Sequence, residues 1–200
     1  MQSNGTRQNI INIMTTLPPL KDRQREQAIK DAKFRLDSML SWDLFDFIKN
    51  KYNNEKSVYG TGHVADPVLE ISSVFGRQLL QFLKIRKPKK SFTLEEYSGT
   101  EPDDITIDLL YPNMTSLPLN DPLTVDNTIH LARLFKVANK ATAHFTIEQT
   151  TDEEFESMKI ARKVIYELVL KYVPDIDKNE IRWTNRDDFM DALQCKKCCD

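Results

Sequence analysis

The sequence predicts a mainly α-helical bundle carrying a small irregular or β-hairpin insertion. Three observations predict it. Apolar residues recur at three- and four-residue spacing through most of the chain. Only five glycines occur in 200 residues, and Gly60 and Gly62 fall almost together. Start and stop signals separate the periodic stretches: Leu17-Pro18-Pro19, Asp66-Pro67, Pro88 and Thr151-Asp152-Glu153-Glu154.

Taken in order, residues 1–17 are polar and aperiodic and are expected to form a loose arm. Pro18-Pro19 precedes a helix from about Leu20 to Leu40, with Ala28, Ala32, Leu36, Met39 and Leu40 on one face. Its first two turns are mostly charged, so they are expected to project into solvent or to meet a partner. Trp42 to Tyr52 either continues this helix or follows a kink near Ser41. Residues 53–65, ending in Gly60-Thr61-Gly62-His63, read as a loop. Asp66-Pro67 reads as a cap with proline in the first helical position. The helix that follows, to about Ile85, is apolar on more than one face and belongs at the centre of a core.

Lys84, Arg86, Lys87, Lys89 and Lys90 then lead to the next segment. Positive charge suits a helix C-terminus through the macrodipole; a phosphate-contacting patch is the other reading. In residues 91–122, Phe92-Thr93-Leu94 and Ile105-Thr106-Ile107 alternate in the manner of a short hairpin across Ser98 to Pro102. A helix returns from Pro122 or Val125 to Ala143. Thr151 to Glu154 is a capping box, and the helix it opens carries Phe155, Met158, Ala161, Ile165, Leu168 and Tyr172 before Pro174 stops it. Asn179 to Trp183 reads as a short strand or extended segment, and Thr184 to Leu193 as a final short helix. One domain is therefore expected over residues 19–194, with an arm at 1–18, an insertion at about 91–122 and a Cys-containing tail at 195–200.

Composition narrows the function classes. Hydrophobic residues make up 40% and charged residues 29%, which fits a globular protein rather than a disordered one. A net charge of −2 gives no global attraction to nucleic acid or membrane, so any such surface is a local patch. The apolar run Ile10 to Leu17 is interrupted by Asn12 and two threonines and has no export-signal layout. No stretch has the apolar length of a membrane span, and the expected location is cytoplasmic. Asn4-Gly5-Thr6 and Asn113-Met114-Thr115 match the glycosylation pattern, which carries no meaning without export. Cys195, Cys198 and Cys199 form one cluster without a distant partner pair, so they read as reduced thiols on a tail. Asp103, Asp104 and Asp108 read as turn and cap residues. No metal or cofactor is expected. No zincin, nucleophile-elbow or phosphate-loop motif occurs, and His63 reads as a loop residue near a helix start.

One constellation carries chemistry. At about 100° per residue, Asp126, His130, Arg133, Val137, Lys140 and His144 fall close to one line, with Lys136 beside it. Arginine forks onto phosphate, lysine adds a point charge and histidine moves protons near neutral pH. The same stripe is also what the solvated face of an amphipathic helix looks like. His144, flanked by alanine and placed where two helices meet, is expected to be partly enclosed. Asn139-Lys140-x-x-x-His144, followed by a loop and the capped helix 152–173, resembles the C-terminal helices of HEPN domains. These are helical bundles found in ribonuclease toxins, antiphage systems and nucleotide-binding modules. The resemblance covers about 50 residues. It implies His144 as the catalytic histidine of a metal-independent ribonuclease. Asn139 stands at the spacing of the family's arginine, Lys140 is one position too close and Arg133 is too far in sequence. An asparagine cannot supply that charge to a developing phosphorane, so weak or absent nuclease activity is implied.

Two functions follow as expectations. One is a HEPN-like module that binds RNA or nucleotide through His130, Arg133, Lys136, Asn139 and Lys140, with any residual catalysis at His144, Lys140 and Arg133. The other is a non-enzymatic protein–protein interaction module, with a protein partner or a second copy. A metal-dependent hydrolase using Asp103, Asp104, Asp108 and a histidine is a remoter third.

Overall fold

The computed structural model describes residues 20–52, 62–99, 104–142 and 151–181. They form a mainly α-helical arrangement with one small antiparallel hairpin. Helix α1 (Asp22–Tyr52) runs on through Ser41, so Trp42 to Tyr52 is a continuation. Its charged first turns do not simply project. Arg25 donates to the Leu110 carbonyl at 3.1 Å and to Asp175 at 3.2 Å, tying the helix start to two distant segments.

Helix α2 (Gly62–Phe82) starts earlier than its proline suggests. Asp66-Pro67 lies inside it, and the missing proline N–H removes one backbone bond near the helix start. Its apolar character on several faces has the expected consequence: α2 packs against α1, α5 and α6. Leu36 and Met39 from α1, Leu79 and Leu80 from the end of α2, Leu83 just after it, and Ile165 and Leu168 from α6 are fully enclosed. Gly76 marks the closest approach. A Cβ there would stand 3.0 Å from Leu134 Cδ1 and 3.4 Å from Met39 Sδ. Gly76→Val overpacks this contact and is expected to destabilise by about 1–3 kcal/mol, read as a lowered Tm in thermal melts.

Leu83 and Lys84 turn the chain out of α2. Lys84 takes a left-handed φ of 63°, unusual for a non-glycine residue. Its ammonium is held by Glu96 at 2.9 Å and Asp108 at 2.8 Å. Strands β1 (Ile85–Arg86) and β2 (Glu95–Glu96) then pair antiparallel, Ile85 opposite Glu96 and Arg86 opposite Glu95. The hairpin thus forms with other partners than Phe92-Thr93-Leu94 and Ile105-Thr106-Ile107. Opposite charges on Arg86 and Glu95 (2.7 Å) favour the observed register, while Ile107 is buried as the first residue of α3 (Ile107–Leu110).

After a 3₁₀ turn at Pro118–Asn120, Asp121 caps α4 (Pro122–Asp126) by accepting from the Leu123 N–H at 2.9 Å. The single helix expected here is divided. Asn127 separates α4 from α5 (Thr128–Thr142). Its side chain donates to the Leu123 carbonyl and Thr128 donates to the Thr124 carbonyl, local bonds that compete with the backbone ladder.

Helix α6 (Asp152–Tyr172) has the expected capping box, with Thr151 Oγ1 accepting from Glu154 N and Glu154 accepting from Thr151 N, both at 3.2 Å. Met158, Ala161, Ile165 and Leu168 are buried as the periodicity predicts. Asn179 and Glu180 fall in a 3₁₀ turn (Lys178–Glu180) rather than a strand, and Ile181 behind it is buried. The arm, the helix at Thr184 to Leu193 and the cysteine tail lie outside the described residues. No helix among the described residues is long and apolar enough to cross a membrane.

Asp121 also makes the fold acid-sensitive. Its buried carboxylate accepts from Tyr172 at 2.8 Å and pairs with Lys171 at 2.6 Å. Burial is the largest single influence and pushes its carboxyl up. Lys171, Tyr172 and the Leu123 N–H together outweigh burial and hold it below the ordinary value. A carboxyl lowered by folding stabilises above its unfolded value, and that contribution disappears as pH falls through the folded value. Asp121→Asn is therefore expected to lower Tm at neutral pH. It also flattens the fall in Tm below about pH 4, as melts across a pH series would show.

Candidate functional site

The stripe read from the sequence lies on the seam between α5 and α6. Val137 is buried with Met158, and Val68 and Phe155 pack against them. Cations surround this apolar contact. Arg133 donates to Ser157 Oγ at 3.0 Å and pairs with Glu153. Lys136 reaches Glu154 at 2.7 Å, and Lys140 reaches the other oxygen of the same carboxylate at 3.4 Å. Asn139 accepts from Arg77 of α2 at 2.9 Å. Asp126 lies on α4, across the break at Asn127, so the line is not one continuous helix face. His130 is half-buried, and its Nδ1 is enclosed without a hydrogen bond. His144 lies outside the described residues, and so does the side chain of His63. Arg162, the most deeply buried charged side chain among the described residues, sits one turn beyond Met158.

Glu154 is the centre of this seam. It is 5% exposed, yet it closes the capping box and meets two ammonium groups. Burial, the largest influence, pushes its carboxyl up. Lys136, the Thr151 N–H and Lys140 together hold it below the ordinary value. Helix α5 contains three cations and no acid, so the charge it needs comes from the first turns of α6. Arg77, Glu153 and Ser157 are members that periodicity on α5 cannot reveal. Glu154 was visible only as a cap.

A second polar cluster occupies the hairpin tip. Helix α2 ends at Phe82, so Lys84 to Lys90 do not sit in its last turn and the macrodipole reading does not describe them. The carboxylates of β2 are used at the base, Glu95 by Arg86 and Glu96 by Lys84. The loop between the strands then presents Lys87, Lys89 and Lys90. None of these three forms an ion pair among the described residues. Phe92 is 53% exposed, and the Lys87 ammonium stands 5.4 Å from its ring centroid. Ser91 and Thr93 shape the turn: their hydroxyls meet at 2.6 Å, and Thr93 N donates to Ser91 Oγ at 2.9 Å. The tip is thus a small cationic surface with an aromatic face.

The acidic residues of the insertion serve as struts. Asp104 accepts from Tyr97 at 2.7 Å, and Asp108 accepts from Thr106 at 2.6 Å besides pairing with Lys84. Asp103 lies outside the described residues. No group of three metal-ligating side chains occurs among the described residues.

No protein-family model, curated protein or solved structure matches this chain.

Proposed function

We propose that the chain is a HEPN-like helical module that binds single-stranded nucleic acid and does so without strong nuclease activity of its own. The observation that carries this reading is the hairpin tip. Three lysines there have no carboxylate partner among the described residues, and one of them, Lys87, stands over the ring of an exposed phenylalanine in the same loop. Ammonium groups take the phosphates of a strand, and an aromatic face takes an unpaired base. The α5 stripe supplies a second, guarded contact. Arg133, Lys136 and Lys140 already hold Glu153 and Glu154, so a phosphate reaching them displaces a carboxylate. The same pairing works against Arg133 and Lys140 as catalytic cations beside His144.

The test is a gel shift of labelled single-stranded RNA in EDTA, titrated with salt, with wild type beside His144→Ala. Binding that weakens steeply with salt, unchanged in His144→Ala and without cleavage, is the expected result. Cleavage lost in His144→Ala would make the module a metal-independent ribonuclease instead. Salt-independent or undetectable binding would overturn the nucleic-acid reading.

A separate observation favours protein binding as a second reading. On the outer side of α1 and α2, Phe34 is 61% exposed and Ile71 is 50% exposed. Together with Phe75 they make an apolar surface of the kind that marks interaction sites.

A further inference from the structure

We infer that Thr93, at the hairpin tip, is a phosphorylation site whose modification switches off nucleic-acid capture there. This deepens the nucleic-acid reading and rests on it. The segment Lys87-Pro88-Lys89-Lys90-Ser91-Phe92-Thr93-Leu94 holds three lysines and no carboxylate. The two acids that follow it are engaged at the hairpin base, Glu95 by Arg86 and Glu96 by Lys84. Lys89, Lys90, Phe92 and Thr93 are all exposed. Ser91 is half-buried, and its Oγ accepts the Thr93 N–H at 2.9 Å, so it builds the turn. The Thr93 hydroxyl meets Ser91 Oγ at 2.6 Å on an exposed edge, a contact that exchanges for water at small cost.

Charge and shape select the modifying partner. A protein kinase that reads basic segments presents acidic residues to the substrate chain. Lys90 stands three residues before Thr93, Lys89 four and Lys87 six, so the cations all lie on its N-terminal side. Among the described residues Ser38 also has a cation three residues before it, Arg35. Ser38 lies inside α1, however, and the helix would have to unwind to enter an extended cleft. The tip needs no unwinding, because it lies between β1 and β2 outside helix and strand. In the transfer, Thr93 Oγ1 attacks the γ-phosphorus of ATP held by the kinase. The new O–P bond forms as the bond to the β,γ-bridging oxygen breaks, the hydroxyl proton passes to a carboxylate of the kinase, and ADP leaves. The phosphothreonine carries about −1.5 to −2 charges at pH 7, so the tip falls from three positive charges to about one. It stands one residue from the Phe92 ring over which the Lys87 ammonium lies. The new phosphate draws the lysines to itself and repels the phosphates of a strand at the stacking face.

The full chain, treated with magnesium ATP and a serine/threonine kinase selective for a basic residue three before its acceptor, tests this. Peptide mass spectrometry maps the site. Gel shifts of labelled single-stranded RNA across a salt series compare treated with untreated protein. Thr93 is expected to be the principal site. Affinity at low salt is expected to fall about tenfold or more, and the slope of log K against log salt by about 1.4, two strand phosphates at about 0.7 each. Treated Thr93→Val is expected to bind as untreated Thr93→Val does. Thr93→Glu beside Thr93→Gln separates charge from shape: the Glu variant binds more weakly at low salt, and the two converge at high salt. If these variants fail to fold by circular dichroism, the treated wild type alone decides.

Untreated protein that binds RNA while Thr93 stays unmodified overturns the proposal and leaves the nucleic-acid reading standing. Phosphate on Ser91 in place of Thr93 overturns the choice of acceptor. A phosphorylated Thr93 with undiminished affinity also overturns the proposal, and moves the RNA contact away from the tip. Untreated protein that binds no RNA removes the nucleic-acid reading, and the switch falls with it whatever the mass spectrum shows.

Discussion

Replacing Lys87, Lys89 and Lys90 by alanine is expected to flatten the salt dependence of RNA binding. Each phosphate contact on a single strand contributes about 0.7 to the slope of log K against log salt, so losing three lowers it by about 2. Affinity at low salt falls in proportion. Phe92→Ala acts differently. It removes a stacking face worth about 1–3 kcal/mol per base, and that loss survives at high salt. The residues occupy the outer part of a turn, and the structural cations Lys84 and Arg86 at its base stay in place. All four substitutions are therefore expected to leave Tm nearly unchanged. Salt-titrated gel shifts on the two variants, with a thermal melt of each, check this. Unchanged affinity in both would remove the hairpin tip as the contact.

Glu154→Ala is expected to produce the largest loss of stability and, at the same time, tighter nucleic-acid binding. The substitution breaks the capping box and strips Lys140, whose side chain is mostly enclosed, of its carboxylate. Removing one partner of an enclosed pair costs about 3 kcal/mol. Lys136 is nearly half exposed and adds little to that figure. For a chain of this size the corresponding fall in Tm is roughly 6–12 °C. The substitution also removes a negative charge beside Lys136 and Lys140, so RNA affinity rises at low salt, opposite to the tip variants. Because Glu154 titrates below the ordinary value, its stabilisation fades as pH falls through that folded value. Melting curves of wild type and variant should then converge in acid. A variant as stable as wild type at neutral pH would show that the seam is held by packing at Val137 and Met158 rather than by charge.

The helices were legible because their signals are local. The Thr151–Glu154 capping box, the buried face of α6 and the α1 positions Ala28 to Leu40 follow from spacing and side-chain chemistry alone. Local signals mislead where a longer-range contact overrides them. Pro67 has the signature of a helix start, but α2 extends past it to Gly62. Ile105-Thr106-Ile107 alternated like a strand, but Ile107 is drawn into the core as the start of α3. The hairpin register depends on charge pairs between Arg86 and Glu95 and between Lys84 and Glu96, which alternation of apolar residues does not encode. The polar stripe was visible as a row of side chains. Its carboxylate lining was not, because Glu153 and Glu154 come from the following helix and meet α5 only after packing. The lysines of the tip are equally visible, but that no acid among the described residues pairs with them depends on which acids the fold uses elsewhere.

The left-handed turn at Lys84 bears on how the tip meets its ligand. The hairpin base is fixed by that residue's two ion pairs, by the Tyr97 N–H on the Lys84 carbonyl at 2.8 Å, and by fully buried Ile85. A basic loop hung from a slack linker would lose much of its conformational freedom on binding, and that loss would cancel part of the attraction. Here most of the ordering is completed when the chain folds, so the entropic penalty at the moment of capture is small. Lys84→Ala leaves the contact surface untouched but loosens its mount. The heat of binding should change little while the entropy becomes less favourable, a separation that calorimetry on the two proteins would read directly.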